Sequence, residues 1–246
     1  MSNLAEKVAL VTGGSRGIGA AIAKRLAADG ATVAITFTKD ASAAAAVVKA
    51  IERDGGKAFA IQADAADVKA IQGAVEKVVT TFGRLDVLVN NAGTAIPKPL
   101  EETTLEEMNR VIDINFRGSM LATQAALKHM KSGGRIIMIG SAIGERVATP
   151  GLVVYAGTKG AVKMFTQALA REVGSRGITV NNVQPGPIDT DLNPASGDWA
   201  VPQKAATALD RYGRVEDIAA MVALVAGPEG SYITGANLTV DGGMNA

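Results

Sequence analysis

The sequence has 246 residues, of which 48% are hydrophobic and 20% are charged, a composition typical of an ordered globular protein rather than a disordered chain. The net charge is only +1 and the basic residues are dispersed, which argues against a nucleic-acid or membrane partner and favours a small molecule. Cysteine is absent, which excludes disulfide, thiolate and zinc–cysteine chemistry, so no metal site is expected and the cytoplasm is the expected location.

Short apolar runs alternate along the chain with longer Ala-rich stretches of helical period. Because Met1 to Lys7 lead directly into the first strand and no apolar run reaches membrane-spanning length, neither an export signal nor an anchor is expected. The capping box Thr104-Leu105-Glu106-Glu107 opens the longest helix. The predicted strands are 8–11, 32–37, 58–63, 87–89, 135–139, 178–183 and 237–240, and the predicted helices are about 17–29, 42–54, 67–82, 104–131, 153–175 and 215–226.

This alternation predicts an α/β fold: a single-domain, Rossmann-type, doubly wound, seven-stranded parallel sheet over residues 1–246, with helices on both faces. Ligands of such sheets bind at the carboxyl ends of the strands. The segment at about 186–204 is rich in Pro, Asp, Asn and Gly and long for a connection, so it is predicted to be an active-site lid.

The loop after the first strand, Thr12-Gly13-Gly14-Ser15-Arg16-Gly17-Ile18-Gly19, predicts a dinucleotide site. Its glycines let the backbone turn sharply and approach a pyrophosphate at the helix N-terminus. The spacing differs from the common G-x-G-x-x-G, so the interpretation depends on the strand–loop–helix context, and a loop whose glycines only shape a turn is the alternative.

The chain resembles the short-chain dehydrogenase/reductase family over almost its whole length. The family's TGxxxGxG motif is matched by Thr12, Gly13, Gly17 and Gly19, and the segment Asn90-Asn91-Ala92-Gly93 follows the fourth strand as the family's NNAG does. Further matches come in family order: Asn115, Ser141, Tyr155, Lys159, Pro185, Gly186, Ile188 and Thr190.

The resemblance implies a role for several of these residues. Asp64 is expected beside the adenine and Asn91 near the adenosine ribose, although Asp and Asn also favour turns. Ile188 and Thr190 are expected to hold the nicotinamide carboxamide, and Lys159 the nicotinamide ribose. Asn115 is expected to hold a water that links Lys159 to solvent, with a helix-packing role as the alternative. The resemblance also implies a homotetramer, which the apolar carboxyl-terminal segment 232–243 permits.

The end of the second strand indicates which coenzyme binds. An acidic residue there would bind the ribose 2′-hydroxyl of NAD, but the sequence reads Phe37-Thr38-Lys39. Arg16, Thr38 and Lys39 could hold the 2′-phosphate of NADP(H) by charge-assisted hydrogen bonds, so NADP(H) is the expected coenzyme. Asp40 weakens this interpretation, and Lys39 could instead be a solvated loop charge.

The reacting groups are predicted to be Tyr155 and Lys159. Four residues apart, they share one face of a helix, and a nearby ammonium favours the phenolate form of a tyrosine. Ser141, at the end of the fifth strand, is suited to hold a substrate oxygen, because no histidine base accompanies it for nucleophilic attack. The sole histidine, His129, lies late in the long helix and is expected to be a surface residue. The chemistry expected is reduction of a carbonyl to an alcohol, with Tyr155 as the acid.

The substrate pocket is predicted to be mostly apolar, which suits a hydrophobic ketone. The expected lining beside Ser141 comprises Ile143, Val147, Leu152, Leu192 and Trp199. Trp199 could instead pack the lid against a helix or another subunit.

Three functions remain open: a reductase of free ketones or aldehydes, which is favoured, a reductase of 3-oxoacyl thioesters on a carrier protein, and a non-catalytic nucleotide-binding sensor. An acidic carrier protein would need a basic patch beside the pocket. The candidate residues for such a patch are Lys128, Lys131, Arg171 and Arg176, although solvated charges at helix ends are the simpler interpretation of all four.

Overall fold

The computed structural model describes residues 3–246; Met1 and Ser2, the start of the amino-terminal segment considered above, lie outside the described residues. Seven strands form one sheet in the order β3-β2-β1-β4-β5-β6-β7, and every neighbouring pair is parallel. The strands are β1 Val8–Val11, β2 Thr32–Phe37, β3 Lys57–Gln62, β4 Val87–Asn90, β5 Arg135–Ile139, β6 Thr179–Pro185 and β7 Asn237–Val240. This is the predicted doubly wound sheet.

Helices cover both faces of the sheet. They are α1 Gly17–Ala28, α2 Ala41–Arg53, α3 Val68–Phe82, α4 Leu105–Ile112, α5 Gly118–Leu127, α6 Val153–Val173, α7 Ala200–Ala205 and α8 Val215–Ala226. One buried cluster joins the sheet to α1, α2 and α8, and a second joins it to α3, α5 and α6. Alternate residues of β1 enter the two clusters, Ala9 and Val11 the first, Val8 and Leu10 the second, which is why this strand is continuously apolar.

The predicted helix at 104–131 is divided in the structure. The capping box at Thr104 and Glu107 opens α4 as expected, but a π-helical turn, Asp113–Arg117, separates α4 from α5, and α5 ends at Leu127. The spacing of hydrophobic residues does not reveal a single π-helical turn within a long helix. Such turns are frequent at functional sites.

Two further boundaries differ from the prediction. Strand β6 extends to Pro185, because the amide of Gly186 still donates to Val240 on the neighbouring strand. The predicted lid at 186–204 contains the start of α7, whose six residues are too few to give a recognisable helical period. Within residues 3–246, none of the helices combines the length and hydropathy needed to cross a bilayer.

Candidate active site

A cavity of about 730 Å³ opens at the carboxyl edge of the sheet, beyond the ends of β1, β4, β5 and β6. Its walls come from the glycine loop, the loops after the strands, the first turns of α6, and the lid. This is the edge where doubly wound sheets bind ligands, because the strand order reverses between β1 and β4.

The glycine loop lies against the end of β4. Gly13 and Gly17 have positive φ angles of 64° and 51°, which only glycine adopts without strain. A Cβ atom on Gly19 would lie 2.4 Å from the carbonyl oxygen of Gly13, so α1 can begin this close to the loop only with glycine there. Ser15 and Ile18 line the cavity together with Gly13, Gly17 and Gly19.

Thr12 and Asn91 hold this loop to the loop after β4. The hydroxyl oxygen of Thr12 accepts hydrogen bonds from the backbone N–H groups of Asn91 and Ala92, each at 3.0 Å. The Asn91 amide nitrogen donates to the carbonyl oxygens of Thr12 and Gly13, at 2.9 and 3.1 Å. The side chain of Asn91 therefore braces the loop, and its contact with a ribose stays a prediction; Asn91, Ala92 and Gly93 all line the cavity.

Two cationic side chains line the cavity where the second strand ends. Arg16, Thr38 and Lys39 line it together. The Arg16 side chain is 66% exposed, and its guanidinium lies 3.8 Å from the Asp191 carboxylate of the lid. Asp40, which weakened the expectation for NADP(H), caps α2: its carboxylate accepts from the Ala43 amide at 2.9 Å and from the Ser42 hydroxyl. These hydrogen bonds, that of Ser42 first, lower the pKa of Asp40.

Asp64 lies at the end of β3 and has a partner that sequence reasoning did not identify. One carboxylate oxygen accepts from the Ala66 amide at 3.0 Å, and the other accepts from the Arg110 guanidinium of α4, also at 3.0 Å. Both Asp64 and Arg110 line the cavity. A single arginine on a helix gives no sequence signal for such a pairing, since the two residues are joined only by the fold.

Tyr155 and Lys159 lie together on the first turns of α6. The Lys159 ammonium donates to the carbonyl oxygen of Ile139, at the end of β5, at 2.8 Å and lies 5.6 Å from the centre of the Tyr155 ring. Lys159 is only 5% exposed, and this burial lowers its pKa to about 8. Burial raises the pKa of Tyr155, and a hydrogen bond with Ser141 opposes that rise.

Ser141 is positioned by the end of β5. It is buried, its hydroxyl oxygen accepts from the Ile143 amide at 3.3 Å, and its own carbonyl oxygen accepts from the Gln184 side chain of β6 at 3.4 Å. The three predicted groups Ser141, Tyr155 and Lys159 therefore share one wall of the cavity. Because burial keeps Tyr155 protonated at neutral pH, this wall offers a proton to a bound oxygen atom.

Asn115 lies in the π-helical turn, behind this wall. Its side-chain oxygen accepts from the Thr94 amide at 2.8 Å, and its nitrogen donates to the carbonyl oxygen of Thr94 at 2.9 Å and to the hydroxyl of Thr158 at 3.1 Å. The Thr158 hydroxyl donates to the carbonyl oxygen of Tyr155 at 2.7 Å. Asn115 thus joins α6 to the loop after β4, and the water-holding role stays a prediction.

The segment predicted to be a lid follows Pro185, the last residue of β6, and starts at Gly186. A Cβ atom on Gly186 would lie 2.6 Å from the Cα atom of Asp241, so the chain can pass β7 here only with glycine. Ile188 is buried and, like Thr190, lines the cavity. The Thr190 carbonyl accepts from the Asn193 amide at 3.0 Å in a tight turn.

The structure places the predicted substrate residues unequally. Ile143, Leu152, Leu192 and Trp199 line the cavity, and Trp199 precedes α7. Val147 is 50% exposed and is not among the lining residues, although the next three residues, 148–150, are. Its contact with a substrate stays a prediction.

Several lining residues could not be identified from the sequence, among them Asn193, Gln203 and Met244. Met244 arrives from the carboxyl terminus, where the Asn245 side chain donates to the carbonyl oxygen of Ala142 at 2.8 Å. No local pattern could have identified it, because the contact spans 103 residues.

The four candidate basic residues for carrier docking lie away from the cavity. Lys128 and Lys131 follow α5 and precede the amino end of β5, while Arg171 and Arg176 precede the amino end of β6. The Arg176 guanidinium donates to the carbonyl oxygens of Leu127 and Met130. They therefore lie at the opposite edge of the sheet, as does His129, which contacts Glu76 of α3 at 3.0 Å.

The chain is similar to known proteins over nearly its whole length. A family model described as enoyl-(acyl carrier protein) reductase matches residues 13–245. The chain is 42% identical to the cyclic-di-GMP-binding biofilm dispersal mediator protein of Escherichia coli, covering 98% of each chain. It is 41% identical to elsinochrome reductase 1 of Elsinoe fawcettii (98% of this chain, 95% of that one) and 42% identical to the 3-oxoacyl-[acyl-carrier-protein] reductase of Synechocystis (99% of each).

Solved structures match the fold closely. A short-chain dehydrogenase from Burkholderia cenocepacia in complex with NADP has a TM-score of 0.98 at 53% identity, covering 99% of this chain and 100% of the other. A blue fluorescent protein from a metagenomic library, in complex with NADPH, has a TM-score of 0.96 at 52% identity with the same coverage.

Proposed function

The chain belongs to the short-chain dehydrogenase/reductase family and is an NADP(H)-dependent oxidoreductase that reduces carbonyl groups, and from this premise we propose which of its residues perform the reaction. The observation that carries the proposal is the buried Tyr155–Lys159 pair beside Ser141, on one wall of the cavity. The proposed catalytic set is Asn115, Ser141, Tyr155 and Lys159.

The residues at the carboxyl edge fit a dinucleotide with a 2′-phosphate. The glycine loop offers a backbone without side chains for a pyrophosphate at the start of α1. Arg16 and Lys39 supply cationic donors, while the acidic residue nearby, Asp40, is committed to capping α2. Asp64, Asn91 and Ile188 surround the rest of the proposed path, ending at Thr190 and Lys159.

In the proposed reaction the Ser141 hydroxyl holds the carbonyl oxygen of the substrate beside the Tyr155 hydroxyl. Bound NADPH supplies the hydride that reduces the carbonyl carbon. Tyr155 transfers its proton to the oxygen as negative charge develops there. Lys159, cationic below a pKa of about 8, stabilises the resulting phenolate, and Asn115 holds α6 and the loop after β4 in register.

The substrate we propose is a free ketone or aldehyde. The apolar lining by Ile143, Leu152, Leu192 and Trp199 supports this choice, and a reductase of 3-oxoacyl thioesters on a carrier protein is the alternative. The third function considered from the sequence, a non-catalytic nucleotide sensor, does not fit an oxidoreductase, since a binding module has no need of a buried Tyr–Lys pair. We further propose a cytoplasmic homotetramer.

The proposed mechanism is tested with Tyr155→Phe. This variant removes the proton donor and little of the cofactor contact, so ketone-dependent oxidation of NADPH should fall at least about a hundredfold, while the dissociation constant for NADPH, measured by its fluorescence, should change less than about threefold. Wild-type turnover in this variant would contradict the mechanism. Binding of NADPH without turnover of any carbonyl compound by the unmutated protein would favour the sensor.

A further inference from the structure

Charge is unevenly distributed along the cavity. Apart from Lys159, the charged residues that line it are Arg16, Lys39, Asp40, Asp64, Arg110 and Asp191. They come from the glycine loop, the ends of β2 and β3, α4 and the start of the lid, where the coenzyme is proposed to lie. The lining residues assigned to the substrate are all uncharged: Ser141, Ile143, Leu152, Leu192, Asn193, Trp199, Gln203 and Met244. A charged substrate group would lose its hydration there without gaining a partner, which favours an uncharged substrate.

Polar side chains nevertheless meet at the lid. The Gln203 side-chain oxygen on α7 accepts from the Asn193 amide nitrogen at 2.8 Å and from the Tyr212 hydroxyl at 3.0 Å. The same hydroxyl lies 3.4 Å from the Asn193 side-chain oxygen. Tyr212 is 7% exposed, so these contacts fasten the turn at 190–193, α7 and the segment before α8 to one another.

This network uses only one end of the Gln203 carboxamide. Two donors occupy the oxygen, whereas the two N–H bonds of the side-chain nitrogen have no acceptor within residues 3–246. A carboxamide is planar, so a fixed oxygen also fixes the direction of the nitrogen. Gln203 itself lines the cavity, beside Leu192 and Trp199.

We propose that the Gln203 side-chain nitrogen donates a hydrogen bond to a second oxygen atom of the substrate. The substrate class is then an uncharged, largely apolar ketone with an acceptor oxygen, such as an ether or a second carbonyl, at the end remote from the reacting group. This inference rests on the proposed function, because it places the reacting carbonyl at Ser141 and Tyr155. It makes Gln203 a specificity-determining residue for the reaction.

The matched variant is Gln203→Glu. A glutamate keeps the size of the side chain and still accepts from Asn193 and Tyr212, so it retains the lid network, but it replaces the free donor by an acceptor. Gln203→Met, which removes both functions, serves as a second variant free of added charge. Thermal unfolding midpoints of all three proteins establish that the variants fold.

The substrates are α-tetralones that carry either a methoxy or an ethyl group at the same ring position, tested at each position. The two groups have similar size, but only methoxy has an acceptor oxygen. In the unmutated enzyme we expect kcat/KM to favour methoxy over ethyl by about tenfold at one position at least, about 1.4 kcal/mol. Both variants should bring that ratio to about one, because kcat/KM falls more for the methoxy compounds than for the ethyl compounds.

A ratio near one at every position in the unmutated enzyme, or a ratio that survives in both variants, would overturn this inference. Neither result would affect the proposed function, since the ethyl compounds would still be reduced. Failure of the unmutated enzyme to reduce any of the ketones would count instead against the proposed function. A loss of activity on both substrate types to the same extent would show that Gln203 acts only on the structure of the lid, which also overturns the inference.

Discussion

At the scale of single residues, Arg16 is expected to contribute most to the preference for NADPH over NADH. Its guanidinium is mostly exposed, and its sole ion pair among residues 3–246 is the loose one with Asp191 at 3.8 Å. Exposed pairs of this kind contribute little, so a 2′-phosphate can displace the carboxylate at small cost. Lys39 adds a second cation at the same end of the cavity.

We therefore expect Arg16→Ala to reduce the preference for NADPH over NADH in kcat/KM by about ten- to a hundredfold, the range of one to two charge-assisted hydrogen bonds. The value for NADH should change little. The matched control is Lys49→Ala, which removes an exposed cation of α2 that does not line the cavity. Equal loss with both coenzymes would assign Arg16 to the shape of the loop instead.

A second prediction at the scale of single residues concerns Lys159 and the pH dependence of the free energy of unfolding. Burial lowers the pKa of Lys159 in the folded protein to about 8, from an ordinary value of 10.5. Between these values the unfolded chain binds a proton that the folded protein does not, so stability rises with pH there. Relative to Lys159→Met, the unmutated protein should gain about 2 kcal/mol in the free energy of unfolding from pH 8 to 9.5. Urea unfolding at several pH values measures it; a constant difference would contradict the lowered pKa.

At the scale of elements, two helical glycines can be compared as sites of substitution by alanine. Gly19 in α1 and Gly73 in α3 are both helical, but a Cβ atom on Gly19 would lie 2.4 Å from a backbone oxygen and 2.5 Å from the Asn91 amide nitrogen, whereas nothing lies within 4 Å of one on Gly73. Alanine favours a helix over glycine by about 0.8–1 kcal/mol. Any difference between the two substitutions therefore reports the close approach of α1 to the glycine loop.

We expect Gly73→Ala to stabilise the protein by up to about 1 kcal/mol and to leave NADPH binding unchanged. Gly19→Ala should destabilise the protein by about 1–3 kcal/mol, as overpacking does. It should also weaken NADPH binding, because the added Cβ atom would displace Gly13 of the glycine loop and the side chain of Asn91. Chemical unfolding and NADPH titration give both quantities. Normal NADPH affinity in Gly19→Ala would show that this loop does not contact the coenzyme.

The elements that could be predicted from sequence are those with a uniform local signal. Continuous apolar runs located each strand to within two residues, and the capping box located the start of α4. The π-helical turn at 113–117 could not be predicted, since its cause is tertiary: Asn115 must reach both Thr94 and Thr158. Likewise Arg110 and the carboxyl-terminal segment that holds Met244 contact segments that are distant in sequence, and such contacts leave no signal in the neighbouring sequence.

At the scale of the whole molecule, the two edges of the sheet are chemically different. The carboxyl edge carries the cavity and the proposed reacting groups, while Lys128, Lys131, Arg171 and Arg176 lie at the amino edge. Because each strand of a parallel sheet runs the same way, basic residues that precede β5 and β6 cannot approach a pocket that follows them. The sequence order alone implied this separation once the sheet was known to be parallel.

Three cations at the carboxyl edge are paired: Arg16 with Asp191, Arg110 with Asp64, and Lys98, next to the lining residue Pro97, with Glu107. Lys39 and Lys159 are proposed to meet the coenzyme. Arg146 and Lys204 flank lining segments and form no ion pair among residues 3–246. These two dispersed cations give an acidic carrier protein a weak docking surface, since complementary charge raises association rates only when it is concentrated.

We therefore expect a free aromatic ketone to be reduced with a higher kcat/KM than a carrier-bound 3-oxoacyl thioester, with a free 3-oxoester as the chemical control for the thioester's reactivity. The double variant Arg146→Glu/Lys204→Glu tests docking directly: it should leave all three values within about twofold, a difference of about 0.4 kcal/mol. If the carrier-bound substrate were preferred tenfold or more and the double variant removed that preference, these two residues would be a carrier-docking site and the thioester function would replace the one proposed here. A carrier preference that survived charge reversal would also exclude free ketones as the principal substrates, and would assign recognition to the acyl chain within the apolar part of the cavity.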